Sequence, residues 1–167
     1  MAIDRHEVVT RHNPVITSAD PFSPLSVGNG EFAYTADITG LQTFPEVYEK
    51  GIPLCTQSQW GWHTEPAANE SGRYSLSDLR KEFYETHGRQ VGYNTSGRGQ
   101  EEAYNWLRQN PHRLHLGQIG LDIKKEDLSP AAIKDIKNPR HTLNLWNGTM
   151  ESSFFVDGVK TETITCC

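Results

Sequence analysis

HTLNLWNGTMESSFFVDGVKTETITC, residues 141–166, is the stretch that decides the fold class. Three runs, His141–Trp146, Thr149–Val156 and Val159–Cys166, are separated by Asn147-Gly148 and Asp157-Gly158. These dipeptides tolerate φ > 0 at both central positions, which a two-residue hairpin turn requires if it is to match the twist of its strands. Reading both as such turns places Leu145 opposite Met150, Leu143 opposite Ser152, Phe154 opposite Thr161 and Val156 opposite Val159. Side chains alternate across a strand, so Leu143, Leu145, Met150, Phe154, Val156 and Val159 share one face. The prediction is an antiparallel meander with a half-buried face, its last strand an exposed edge.

Upstream, the pattern is less regular. Leu114 and Leu116 alternate in one parity and Ile119, Leu121 and Ile123 in the other, as a strand kinked at Gly117-Gln118 would. Ser129-Pro130 offers an N-cap and first helical position for a brief turn ending near Ile136. Two short helices packed on a sheet are expected in the middle. One runs from the capping-box pair Ser75 and Asp78 through Leu76, Leu79 and Phe83 to Gly88; the other runs from Gln100 to Gln109 and stops at Asn110-Pro111. Glu7–Thr10 reads as a short β-prone run, Val27–Gly30 as a tight turn and Glu31–Ile38 as a strand. Residues 41–70 show little periodicity, and an irregular stretch of that length inside a domain points to function. The fold class is therefore mainly β: an antiparallel sandwich with short helical excursions, in a single domain over residues 1–167.

Composition narrows the function classes. A net charge of −5 and pI near 5.8 argue against a nucleic-acid binder, which would show a basic face. No run of 18 apolar residues exists, so no membrane helix is expected. The first residues lack the basic region and apolar stretch of a secretory signal, which points to a soluble cytoplasmic chain, with secretion left open. Sequons at Asn69, Asn94 and Asn147 carry no weight without such a signal. Cys55, Cys166 and Cys167 are too few and too unevenly spaced for a disulfide framework and read as free thiols. Ile, Leu, Val and Phe together number 35 of 167 residues, a thin core.

The candidate chemistry lies in Gln57-Ser-Gln-Trp-Gly-Trp-His63. A sugar ring presents a flat C–H face that stacks on indole and hydroxyls that seek amide or imidazole partners. Trp60 and Trp62, with Gln59 and His63, supply both, and Asn29 is a weaker candidate. The competing reading, which the residues alone favour, is that the tryptophans plug the loop into the core. Gly28-Asn-Gly-Glu-Phe32 lacks phosphate-loop spacing and reads as a turn feeding a strand. Glu31 and Asp37 would share a strand face, but solvated charges are the default reading. His112 and His115 point to opposite sides of a strand, and no metal motif, cofactor motif or nucleophile elbow is present. No catalytic residue is assigned.

Several blocks together carry a resemblance: Arg11-His-Asn-Pro14, Ser26-Val-Gly-Asn-Gly-Glu-Phe32, Thr39-Gly-Leu-Gln-Thr-Phe-Pro-Glu46, Gln57–His63, Asn110-Pro-His-Arg-Leu-His-Leu-Gly-Gln-Ile-Gly-Leu121 and Leu143-Asn-Leu-Trp-Asn-Gly148. In this order they resemble the N-terminal region of six-hairpin-glycosidase-like proteins, over nearly the whole chain from Arg11 to Cys167. Asn144 departs from the Asp more usual there. The resemblance implies an N-terminal β-supersandwich, incomplete at its C-terminal strand. It also implies an (α/α)6 helical barrel as the missing partner domain of the same polypeptide, which would carry the catalytic carboxylates. The expected function is the β-sandwich portion of a glycoside-hydrolase-like enzyme, inactive alone, with a carbohydrate ligand and Trp60, Trp62, His63, Gln59 and Asn29 as contacts. The alternatives are a stand-alone carbohydrate-binding module and an interaction domain that pairs through its last strand.

Overall fold

The computed structural model describes residues 3–66, 73–94 and 96–167. The Asn69 sequon and Thr95 of the Asn94 sequon lie outside the described residues. The elements in chain order are α1 (Arg5–Thr10), β1 (Val15–Ile16), β2 (Leu25–Gly28), β3 (Phe32–Ala36), α2 (Pro45–Tyr48), β4 (Thr56–Ser58) and β5 (Trp62–His63). There follow β6 (Glu82–Thr86), β7 (Arg89–Tyr93), α3 (Glu101–Gln109), β8 (His112–Arg113), β9 (Lys137–Asn144), β10 (Thr149–Val156) and β11 (Val159–Thr165). The described fold is mainly β and antiparallel throughout. Its contacts divide into two units, Met1–Trp60 with His115–Cys167, and Gly61–Leu114.

The first unit is built on the meander. Its sheet runs β1-β9-β10-β11. The β10–β11 hairpin has the expected register, Phe154 to Thr161 and Val156 to Val159, with positive φ at Asp157 and Gly158. The β9–β10 connection does not. Leu143 pairs with Met150 and Asn144 with Thr149, so four residues rather than two make the turn. Asn144 is the reason: its Oδ1 accepts the N–H of Trp146 (3.0 Å) and its carbonyl accepts that of Gly148 (2.9 Å). That local cap competes with the ladder and ends β9 two residues early. The register moves by two, so the faces are preserved and Leu143, Met150, Phe154 and Val156 still point inward. Leu145, now in the turn, and Val159, beside its own turn, are exposed instead. A bulge between Ser153 and Phe155 accommodates Pro139, which has no N–H to give the ladder.

A second antiparallel sheet, β2-β3-β4, faces the first. Leu25, Val27, Tyr34 and Ala36 pack on Met150, while Phe44, Ile136, Phe154 and Val156 form a second cluster. Met150 and Phe154 are fully buried and each contributes roughly 1.5–3 kcal/mol of apolar burial. Between the clusters the inner face of the meander is hydroxylic. Ser152 Oγ donates to the Ile38 carbonyl (2.6 Å), Thr163 Oγ1 to Thr39 (2.6 Å) and Thr165 Oγ1 to Gly40 (2.7 Å). The turn they hold is closed from within. The Asp37 carboxylate accepts the Thr39 N–H (2.7 Å), the Thr39 hydroxyl (2.6 Å) and the Phe44 N–H (2.7 Å). Asp37 is therefore a fully buried structural group, not the solvated charge expected from its sequence context.

Other expectations fail for local reasons. Glu7–Thr10 is helical, because Asp4 caps the Glu7 N–H (3.1 Å) and starts α1. Residues 114–123 form no ladder. They are extended and bond piecemeal, Leu116 N–H to Thr56 and the Ile119 carbonyl to Gln42, with Gly120 close enough to Gln42 that a Cβ would stand 2.6 Å from its carbonyl oxygen. The short turn near Ser129 begins only at Ile133 and runs to Asp135, because Asp127 binds the Ser129 N–H and Asp135 caps Ala132. The stretch 41–70 is less irregular than its composition implies, since it contains α2, β4 and β5.

In the second unit, the capping box at Ser75 and Asp78 is real but opens only a 3₁₀ turn, Leu76–Asp78. The expected continuation to Gly88 is instead the β6–β7 hairpin, turning at His87-Gly88 with φ of 49° and 80°. Phe83, placed on the helical stripe by spacing alone, is exposed there. α3 matches its expected range and buries Ala103. It is held by loops rather than by a sheet. Gln100 receives the Arg80 N–H (2.7 Å), Tyr74 meets Trp106 edge-on at 5.9 Å, and the Trp106 indole donates to the Glu65 carbonyl (3.2 Å).

Gly40 tests the docked turn. It has φ +80°, and a Cβ there would lie 2.5 Å from Thr163 Oγ1 and 3.1 Å from the Ser152 Cβ. Gly40→Ala is expected to lower unfolding free energy by about 2–4 kcal/mol in urea denaturation. Gly30→Ala, with φ +93° but open space around it, should cost only about 1–2 kcal/mol.

Candidate functional site

The Gln57–His63 segment is presented by β4. Ser58 pairs with Phe32 and Gln57 with Ala33, and the Gln59 N–H carries the ladder one step further to the Glu31 carbonyl (2.8 Å). The facing turn is fixed by Asn29, whose Oδ1 accepts the N–H groups of Glu31 (3.1 Å) and Phe32 (2.9 Å). The β2-β3-β4 sheet therefore gathers Asn29, Glu31, Gln59 and Trp60 at one end. Part of Asn29 is committed to the turn, leaving its amide nitrogen for other partners. Trp60 is 70% exposed.

Trp62 and His63 belong to the second unit, on β5. There Trp62 pairs with Arg113 and His63 with His112 of β8. Trp62 is 51% exposed. The His63 ring lies edge-on to His112 at 3.8 Å, and its Nδ1 stands 3.7 Å from Glu65. His112 is oriented by a 3.0 Å contact between Nδ1 and the Gln109 carbonyl. His115, by contrast, accepts the Thr56 N–H at 3.1 Å within the first unit. Neither tryptophan plugs a core, which overturns the reading the residues alone favour. Each exposed indole, Trp60 in the first unit and Trp62 in the second, can stack on a flat apolar face.

A second cluster, silent in the sequence, is buried in the first unit. His141, Asp37 and Tyr48 line a narrow gap with Ile16, Ser23, Pro24, Ala36 and Ile38. Neither ring nitrogen of His141 has a hydrogen-bond partner of normal geometry, and burial pulls its pKa down to about 4 against a small opposing pull from the Glu151 backbone. Burial raises the Asp37 pKa, although the Thr39 and Phe44 donors oppose it. Burial, with the Asp37 charge second, pushes Tyr34 and Tyr48 up to about 12. The gap is too narrow for a water-sized probe, and the buried His141 and Asp37 bear on stability.

Among the described residues no three His, Cys, Asp or Glu side chains converge as a metal site, and all three cysteines are free. No helix there is long and apolar enough to cross a membrane. No family model, curated protein or solved structure matches the chain.

Two outcomes follow from these placements. Trp60→Ala and Trp62→Ala should each shift unfolding free energy by no more than about 0.5 kcal/mol, because exposed positions carry little packing. For His141, the unfolded chain takes up a proton near pH 6.5 that the folded one refuses until about pH 4. Stability is therefore held above pH 6.5 and lost as pH falls toward 4, by at most about 3 kcal/mol. Asp37, with its raised pKa, works in the opposite direction at acid pH. The stability difference between wild type and His141→Leu, measured by urea titration at each pH, isolates the histidine and should change steadily through that window.

Proposed function

We propose that this chain is the sugar-binding β-sandwich portion of a glycoside-hydrolase-like protein, holding carbohydrate for an acid supplied by a helical barrel domain. The observation that carries the reading is the exposure of Trp60 and Trp62. Large indoles are normally buried, and both lie in one short run beside Gln59 and His63. A pyranose stacked on either would remove apolar surface from water that the fold itself leaves open. Asn29 and Gln59, at the same end of the three-stranded sheet, offer amides to ring hydroxyls.

Binding without cleavage is the expected division of labour. Glycoside hydrolysis needs two carboxyl groups flanking the bond with a pocket between them. Asp37 is buried and saturated with donors, and Glu31 lies in an exposed turn without an oriented partner carboxylate among the described residues. A second reading, a stand-alone carbohydrate-binding module, is favoured by one feature: Asn29, Gln59 and Trp60 are all positioned by a sheet internal to this chain.

The test is a glycan array followed by calorimetric titration of the best oligosaccharide. Trp60→Ala and Trp62→Ala should weaken binding by about tenfold, roughly 1.4 kcal/mol, with the fold unchanged. Unchanged affinity in both variants removes this segment as the site. Oligosaccharide cleavage by the chain alone, abolished by changing one of its own carboxylates, would overturn the binding-only assignment.

A further inference from the structure

The two edges of the meander are unequal. On one side β9 is covered by β1, a strand of two residues. On the other, β11 presents seven residues, Val159-Lys-Thr-Glu-Thr-Ile-Thr165, without a bulge in its ladder to β10. Val156 and Val159 flank a two-residue turn and so form a hydrogen-bonded pair. Alternation then directs the backbone groups of Thr161, Thr163 and Thr165 toward β10, and those of Lys160, Glu162 and Ile164 outward. Of the devices that protect an edge this one has only the charges of Lys160 and Glu162; it has no bulge, proline or inward charge, and Val159 and Ile164 are 67% and 76% exposed.

The charges on the edge are self-complementary. Lys160 and Glu162 lie on the outer face, 2.7 Å apart as an ion pair, and both are more than half exposed. Two antiparallel copies related by a twofold axis at Thr161 bring Lys160 of each opposite Glu162 of the other. Those are also the residues whose backbone groups point outward, so each pair exchanges both its backbone bonds while opposite charges meet across strands. A twofold axis at Glu162 instead sets Glu162 against itself, and one at Thr163 sets Glu162 against Ile164.

We propose that β11 is a self-association edge: two copies of this chain pair antiparallel about Thr161 and join their four-stranded sheets into one. The occupant is a second copy because a strand with Lys and Glu at this spacing, run in reverse, sets each charge against its opposite, and the chain itself supplies one. Edge pairing buries less than a standard interface, so the dimer is weak and concentration-dependent. The proposed strand pair uses no residue of the Gln57–His63 segment, so sugar binding and self-association fail independently.

Sedimentation equilibrium of the full chain, from low micromolar to near-millimolar, tests this, with variants in surface positions that leave the fold intact. Wild type should follow a monomer–dimer equilibrium. Lys160→Glu and Glu162→Lys should each raise the dissociation constant by at least about tenfold. The double variant K160E/E162K should return it to within about threefold of wild type. In wild type, hydrogen exchange at the Lys160, Glu162 and Ile164 amides should slow with protein concentration, while the Thr161 and Thr163 amides stay protected throughout. A monomer at all concentrations overturns the proposal, and so does a dimer indifferent to the single charge reversals. Failure of the double variant to recover does the same, since it places the contact in another register.

Discussion

Three hydroxyls on the inner face of the meander, those of Ser152, Thr163 and Thr165, hold the carbonyls of Ile38, Thr39 and Gly40. A buried carbonyl without a donor costs about 1–3 kcal/mol, and water cannot reach this one-turn segment to supply one. The hydroxylic stripe of the meander, which looks like a poor core in composition, is therefore a row of donors matched to a backbone turn. Asp37 completes the arrangement from the other side by taking the N–H groups of Thr39 and Phe44. The β2-β3-β4 sheet leads directly into this turn through Ala36. Its orientation, and with it the end that carries Asn29, Gln59 and Trp60, depends on the turn being seated.

The same arrangement explains how a chain with few large aliphatic residues keeps two apolar clusters. Met150 and Phe154 anchor one cluster each, and the turn carbonyls in the seam between them all find donors. Not every polar group in the seam is satisfied. His141 stands in the adjoining gap with neither ring nitrogen in a normal hydrogen bond, which leaves the interior sensitive to acid. Polar groups inside this fold are structural, while the aromatic groups of the candidate segment, Trp60 and Trp62, are exposed. The two kinds of chemistry are kept apart.

The meander was legible because alternation and the Asp157-Gly158 turn agree with each other. Asn147-Gly148 misled the register, since the signal that overrides it is Asn144, three residues earlier, capping the turn with its own side chain. Leu76, Leu79 and Phe83 have helical spacing, yet the sequence from Glu82 to Tyr93 is also a hairpin around His87-Gly88, and pairing prevailed. The docked turn was not legible at all. Nothing in Asp37-Ile-Thr-Gly40 distinguishes it from a solvated loop, because its partners lie more than a hundred residues away in β10 and β11. The tryptophan segment was found from residue types, but whether it faces core or solvent depends on a ladder between β3 and β4 that local sequence does not specify. Its exposure removes the core-plugging role.

Native-state hydrogen exchange at the Thr39 and Phe44 amides, compared with the β10 amides, measures directly whether the turn and the meander are one cooperative body. The account predicts that both sets exchange only on global unfolding, with opening free energies within about 1 kcal/mol of one another. Exchange at Thr39 and Phe44 through a local opening several kcal/mol cheaper, with β10 still protected, would contradict it.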